Sequence, residues 1–125
     1  LQRGAEHCRE AGAELWVVFL PSKAECYLPL IDPDQEQAFM EQCFFGRPAP
    51  DPEAWPALLA KMRSHIGAVG GRLADVCAAS GIRYFDATEV LRDEMAAGRP
   101  PYFAADTHLG MQGQARLLGE LLERW

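Results

Sequence analysis

The sequence predicts an α/β domain in which helices flank a parallel sheet. The run Leu15-Trp16-Val17-Val18-Phe19-Leu20 is continuously apolar and rich in β-branched and aromatic residues, the pattern of a strand covered on both faces. Ile82-Arg83-Tyr84-Phe85 has the character of a second, shorter strand. Helical segments lie between the two, and crossover helices between apolar strands imply parallel pairing with right-handed connections. Ligand sites in such sheets sit at the carboxyl ends of the strands.

The elements follow in order. Residues 2–11 read as a helix ended by Gly12, and Pro21 ends the first strand. Segment 22–56 holds Pro29, Pro33, Pro48, Pro50, Pro52 and Pro56 and is the most irregular part of the chain. Within it, Asp32-Pro33-Asp34 starts a short helix over 35–45, and 47–52 is a loop. Residues 53–66 form a helix with Pro56 in its first turn. Gly70-Gly71 breaks the chain, and Leu73, Val76 and Cys77 mark the apolar face of the next helix, which Gly81 ends.

Asp86-Ala87-Thr88-Glu89 has capping-box spacing for a helix carrying Val90, Leu91 and Met95. After the turn Arg99-Pro100-Pro101, residues 102–105 are a candidate third strand. Met111, Ala115, Leu118 and Leu122 form a stripe, widened by Leu117 and Leu121, through which the last helix packs into a core. Two or three strands are fewer than the four or five of a doubly wound sheet. With the abrupt start at Leu1, this suggests a single, partial domain within a longer protein.

The net charge of -6, with arginines scattered through the chain, excludes a basic nucleic-acid surface. No run reaches the roughly 18 apolar residues of a membrane span. Cys8, Cys26, Cys43 and Cys77 include no CxxC pair. Two disulfides in any of three connectivities are open to them, but their apolar contexts favour buried thiols.

The chemistry-bearing feature is Asp106-Thr107-His108, placed between an apolar segment and a helix. In extended backbone, residues i and i+2 share a side, so Asp106 can hold the His108 ring through Nδ1–H and leave Nε2 to accept a proton. The same residues also suit an ordinary helix N-terminus. Lys23, just after the first strand, is an anionic-substrate contact, a cap on the end of its strand, or a solvated strand-end lysine. His7 and His65 lie in helical runs and suggest no chemistry. Trp16, Trp55 and Trp125 read as packing anchors, Tyr27 as packing, and Asp86 as a helix cap.

Taken together, Asp106-Thr107-His108 with Gly113, Trp16-Val17-Val18-Phe19-Leu20-Pro21-Ser22-Lys23 followed by Tyr27, and the stretch from Gly81 to Leu91 resemble SGNH-hydrolase-like domains of the alginate O-acetyltransferase (AlgJ/AlgX-like) family. Leu109 departs from that family's pattern, which has an aromatic after the histidine. The resemblance implies a partial SGNH/flavodoxin-like sheet and a periplasmic or extracytoplasmic setting in exopolysaccharide biosynthesis. It implies a carbohydrate O-acetyltransferase or acetylesterase with a Ser-His-Asp triad. His108 would be base then acid and Asp106 its orienting carboxylate, and no cofactor would be needed. Ser22, Ser64 and Ser80 match no nucleophile position of the family, so the serine is expected outside this chain, which alone would be inactive. Implied partners are a polysaccharide or other carbohydrate and an acetyl donor, a membrane acyl-transfer protein being one source.

Two other readings stand beside this. One is a non-catalytic carbohydrate-binding or scaffold module with a degenerate SGNH-like fold. The other is a metal hydrolase drawing a third ligand from His65 or a cysteine to join Asp106 and His108, although no HxxxH or HExxH spacing is present.

Overall fold

The computed structural model describes residues 1–43, 52–104 and 106–124. Residues 47–51 of the loop expected over 47–52, the end of the helix expected over 35–45, Ala105 of the candidate strand 102–105, and Trp125 lie outside them. Two strands, β1 (Trp16–Phe19) and β2 (Arg83–Asp86), pair in parallel with Trp16 opposite Arg83 and Phe19 opposite Asp86. Helix α1 (Gln2–Glu10) precedes β1, and α2 (Lys23–Tyr27), α3 (Glu36–Cys43), α4 (Trp55–His65) and α5 (Ala68–Ala79) make the crossover. After β2 come α6 (Thr88–Ala96) and α7 (Met111–Arg124). The molecule is therefore mixed α/β, mostly helical, with a two-stranded parallel sheet among the described residues.

Apolar side chains gather in three clusters. Phe85, Ala87, Leu91, Cys26 and Tyr102 pack between β2, α2 and α6, with Leu117 and Leu121 of α7 laid over them. Leu28, Phe39, Trp55 and Leu59 form a second cluster among α2, α3 and α4. Ala5, Cys77 and Ile82 form a third, between α1, α5 and the start of β2. Tyr27 belongs to the first two, stacked on Phe39 at 5.8 Å and edge-on to Tyr102 at 5.9 Å.

Several expectations need correction. The break falls at Gly67 (φ +78°), and Gly70 and Gly71 lie inside α5. Gly70 is there because the helix runs close to the sheet: a Cβ would stand 2.9 Å from Asp86 Oδ2 and 3.1 Å from the Phe19 ring. Residues 102–104 form no third parallel strand. Tyr102 makes one antiparallel bridge to Leu109, flanked by Phe103 N–H donating to His108 O (3.1 Å) and Gly110 N–H to Pro101 O (2.8 Å). The capping box of α6 is not formed. Asp86 Oδ1 accepts from Thr88 N–H at 2.9 Å, while Glu89 pairs with Arg92. β1 is half-buried rather than covered on both faces, since only Phe19 is buried and Leu20 is exposed.

The face of α7 is rotated from the expected stripe. Met111, Leu118 and Leu122 are 81%, 57% and 65% exposed, and Leu117 and Leu121 carry the packing. Two features set this rotation. Gly113 lies on the Pro101 carbonyl, where a Cβ would come within 2.3 Å. Glu120 faces inward, paired with Arg116 (2.5 Å) and with Arg124, whose guanidinium also covers the Phe85 ring at 4.6 Å. The same Arg116 approaches Glu94 of α6, which Arg99 grips in a two-pronged pair of 2.7 and 2.9 Å. Arg99 holds the Glu94 carboxyl below the usual carboxylate range.

These packings predict opposite signs for one substitution. Gly113→Ala should lose about 1–2 kcal/mol, because overpacking against backbone outweighs the roughly 1 kcal/mol of helix propensity gained. Gly71→Ala, with nothing near its Cβ position, should gain about 0.5–1 kcal/mol. Urea unfolding midpoints of the two variants check both.

Candidate functional site

The carboxyl end of β1 is where the candidate residues meet. Pro21 stops the strand, and Ser22 starts α2 through a capping box: its hydroxyl accepts from Glu25 N–H, and its own N–H donates to Glu25 Oε2. This S-x-x-E signal lay in the segment read as irregular and locates α2 unaided. The start of α2 points Lys23 inward.

Lys23 is buried, 4% exposed, and its ammonium donates to the carbonyls of Phe103 (2.9 Å), Ala104 (3.0 Å) and Asp106 (3.3 Å). A lysine has three N–H donors, and all three are engaged. Lys23 is thus neither the substrate contact nor the solvated lysine expected; it lies beneath the loop that carries Asp106 and His108. A second tie is Tyr102, whose hydroxyl donates to Pro21 O at 2.5 Å.

Asp106 and His108 are together, though not through extended backbone. Asp106 Oδ1 accepts the His108 N–H at 2.7 Å, a side-chain turn in which the carboxylate closes the loop. The His108 Nδ1 lies 3.4 Å from the same oxygen, longer than a well-formed hydrogen bond. The ring is 83% exposed, so its Nε2 side is open to an incoming group. The motif precedes α7 without capping it, because Asp106 turns back on His108. Leu109 is half-buried against the cluster around Phe85 and Leu91.

The remaining candidates are engaged elsewhere. Ser22 is the helix cap, and Ser64 Oγ donates to Lys61 O. The Ser80 hydroxyl is buried at the end of α5. His65 Nδ1 lies 2.7 Å from Lys61 O, and His7 pairs with Glu10. Among the described residues, no three His, Cys, Asp or Glu side chains converge as a metal-holding group, so the third ligand of the metal-hydrolase reading does not come together. Cys8, Cys26 and Cys77 are free thiols. No helix among the described residues is long and apolar enough to cross a membrane.

Beneath the loop lies a buried pair, Cys26 Sγ and the Tyr102 hydroxyl, 3.7 Å apart. Burial pushes the Cys26 thiol up from its ordinary value near 9 to about 11, and burial together with Cys26 raises the Tyr102 phenol. On the far face of β2, burial and then the neighbouring Asp86 carboxylate raise Tyr84 to about 12. Its hydroxyl donates to Gly70 O at 2.9 Å. Comparison with protein-family models, curated proteins and solved structures returned no match.

Because folding raises these acids, the unfolded chain releases their protons first. Stability should be full below about pH 9 and fall as pH rises from about 9 towards 11. Thermal unfolding across that range checks the slope. Peptide-resolved alkylation of native protein at pH 8 should label Cys8 well before Cys26 or Cys77.

Proposed function

We propose that this chain is part of an SGNH-type carbohydrate O-acetyltransferase or acetylesterase of the alginate O-acetyltransferase kind. Its sheet would be a portion of an SGNH/flavodoxin-like sheet, and His108 with Asp106 would be the acid–base pair of a Ser-His-Asp triad. The observation that carries this reading is the Asp106–His108 pair standing, with Nε2 open, on a loop fastened to the carboxyl end of β1 by Lys23 and Tyr102. That end is where α/β sheets hold their ligands. Catalytic hydrogen bonds are often long before substrate is seated, so the 3.4 Å separation suits a ring waiting for its nucleophile.

In the proposed cycle, a serine from polypeptide outside this chain attacks the acetyl carbonyl. His108 Nε2 takes the serine proton while Asp106 faces Nδ1–H and stabilises the imidazolium. The tetrahedral adduct expels the donor oxygen, which takes the proton from His108, and acetyl-serine remains. A carbohydrate hydroxyl then gives its proton to His108 and attacks the ester, and the serine regains a proton as it leaves. Water in place of the sugar gives hydrolysis. The setting is extracytoplasmic, with a membrane acyl-transfer protein as donor.

A non-catalytic carbohydrate-binding or scaffold module is the second reading. It is favoured by the engagement of Ser22 and Ser64 elsewhere and the burial of Ser80. Acetyl-ester turnover by the full-length protein separates the two. His108→Ala should lower turnover by about 10²–10⁴-fold, with the unfolding midpoint unchanged because the ring is exposed. Retained turnover refutes the assignment of His108, and no turnover in the unsubstituted protein favours the module.

A further inference from the structure

We infer that Lys23 is a positioning residue for the Asp106–His108 pair, its buried ammonium being the template around which that loop is folded. The functional meaning of the inference rests on the acid–base reading of the pair; the clamp itself rests on geometry.

Nothing in α2 calls for a lysine at this place. The first turn of a helix repels a cation, since the macrodipole is positive there. Burying an ammonium is unfavourable unless it is fully partnered. No carboxylate among the described residues pairs with it. What surrounds Nζ is a set of three carbonyl oxygens at 2.9, 3.0 and 3.3 Å, with the Tyr27 ring 5.7 Å away. All three oxygens come from one loop about 80 residues downstream.

The third, Asp106 O, is the link to chemistry. It belongs to the residue whose carboxylate takes the His108 N–H at 2.7 Å and stands 3.4 Å from Nδ1. The ammonium holds the Asp106 backbone, and the Asp106 carboxylate holds the amide of His108 and faces its ring. A tetrahedral ammonium can point three donors at three converging carbonyls. The planar fork of an arginine cannot, so Lys23→Arg should behave like a loss of the clamp.

The test uses histidine-labelled protein. Long-range ¹H–¹⁵N correlations report the tautomer of His108, with His7 and His65 as internal references, and amide exchange at Phe103 and Gly110 reports the loop. In the unsubstituted protein the neutral ring should carry its proton on Nδ1, facing Asp106. In Lys23→Met the proton should move to Nε2, as in a free imidazole, and exchange at the two amides should quicken on the order of ten- to a hundredfold. Lys23→Arg should not restore either signal. Asp106→Asn should change the tautomer while leaving the two amides protected, because the Lys23 contact there is to backbone.

A Lys23→Met protein with wild-type tautomer and wild-type protection overturns the inference. An unsubstituted protein whose His108 lacks the Nδ1 proton overturns the acid–base reading instead, and the amides alone then judge the clamp. If Lys23→Met fails to fold, lysine-labelled unsubstituted protein decides. Slowly exchanging Lys23 ammonium protons support the clamp, and protons exchanging as fast as those of Lys61, which is exposed, overturn it.

Discussion

A single cation organises the candidate site. The Lys23 ammonium enters the interior without a carboxylate partner among the described residues and donates to backbone carbonyls of Phe103, Ala104 and Asp106. Each carbonyl accepts a charge-assisted bond, stronger than a neutral one, and none could be given up without leaving a buried donor unmet. The loop conformation and the burial of the lysine therefore require one another. The chain end of β1, the start of α2 and the segment before α7 are tied at this point, and the Tyr102 hydroxyl on Pro21 repeats the tie from the other side.

Around that point the helices are held by side chains that sequence patterning treats as surface. Arg92 of α6 donates to the Glu25 carbonyl of α2 at 2.9 Å, and Glu94, Arg116 and Glu120 run as a chain of charges along the seam of α6 and α7. Exposed ion pairs add little individually, but the two glutamates here are buried, and removing a partner from a buried carboxylate is far more damaging. Polar side chains thus help fix the angle of α7, and with it the loop that precedes the helix.

Both strands, the helices at 2–11 and 53–66 and the nearness of Asp106 to His108 were legible from the residues, because each depends on local composition or close spacing; the extended backbone and ring hydrogen bond expected of that pair are replaced by a turn in which the Asp106 carboxylate takes the His108 N–H. What escaped depends on contacts distant in sequence. Gly70 looks like a breaker until Phe19 and Asp86 are seen to leave no room for a Cβ. The leucine stripe of α7 is ambiguous by one residue, and only Gly113 on Pro101 and the inward Glu120 select Leu117 and Leu121. Lys23 carried no sign of its role, since its acceptors are backbone atoms about 80 residues away. Helix α2 is the exception: its capping box is local, and proline density in the surrounding segment hid it.

Tyr27 gives the architecture a further property. Its ring is shared by the cluster around Phe85 and the cluster around Trp55, lying flat on Phe39 and edge-on to Tyr102. Neither group of side chains can loosen without uncovering the same aromatic surface. The helical crossover and the sheet-side layer are therefore coupled through one phenol ring, which favours their melting as one cooperative unit rather than as two.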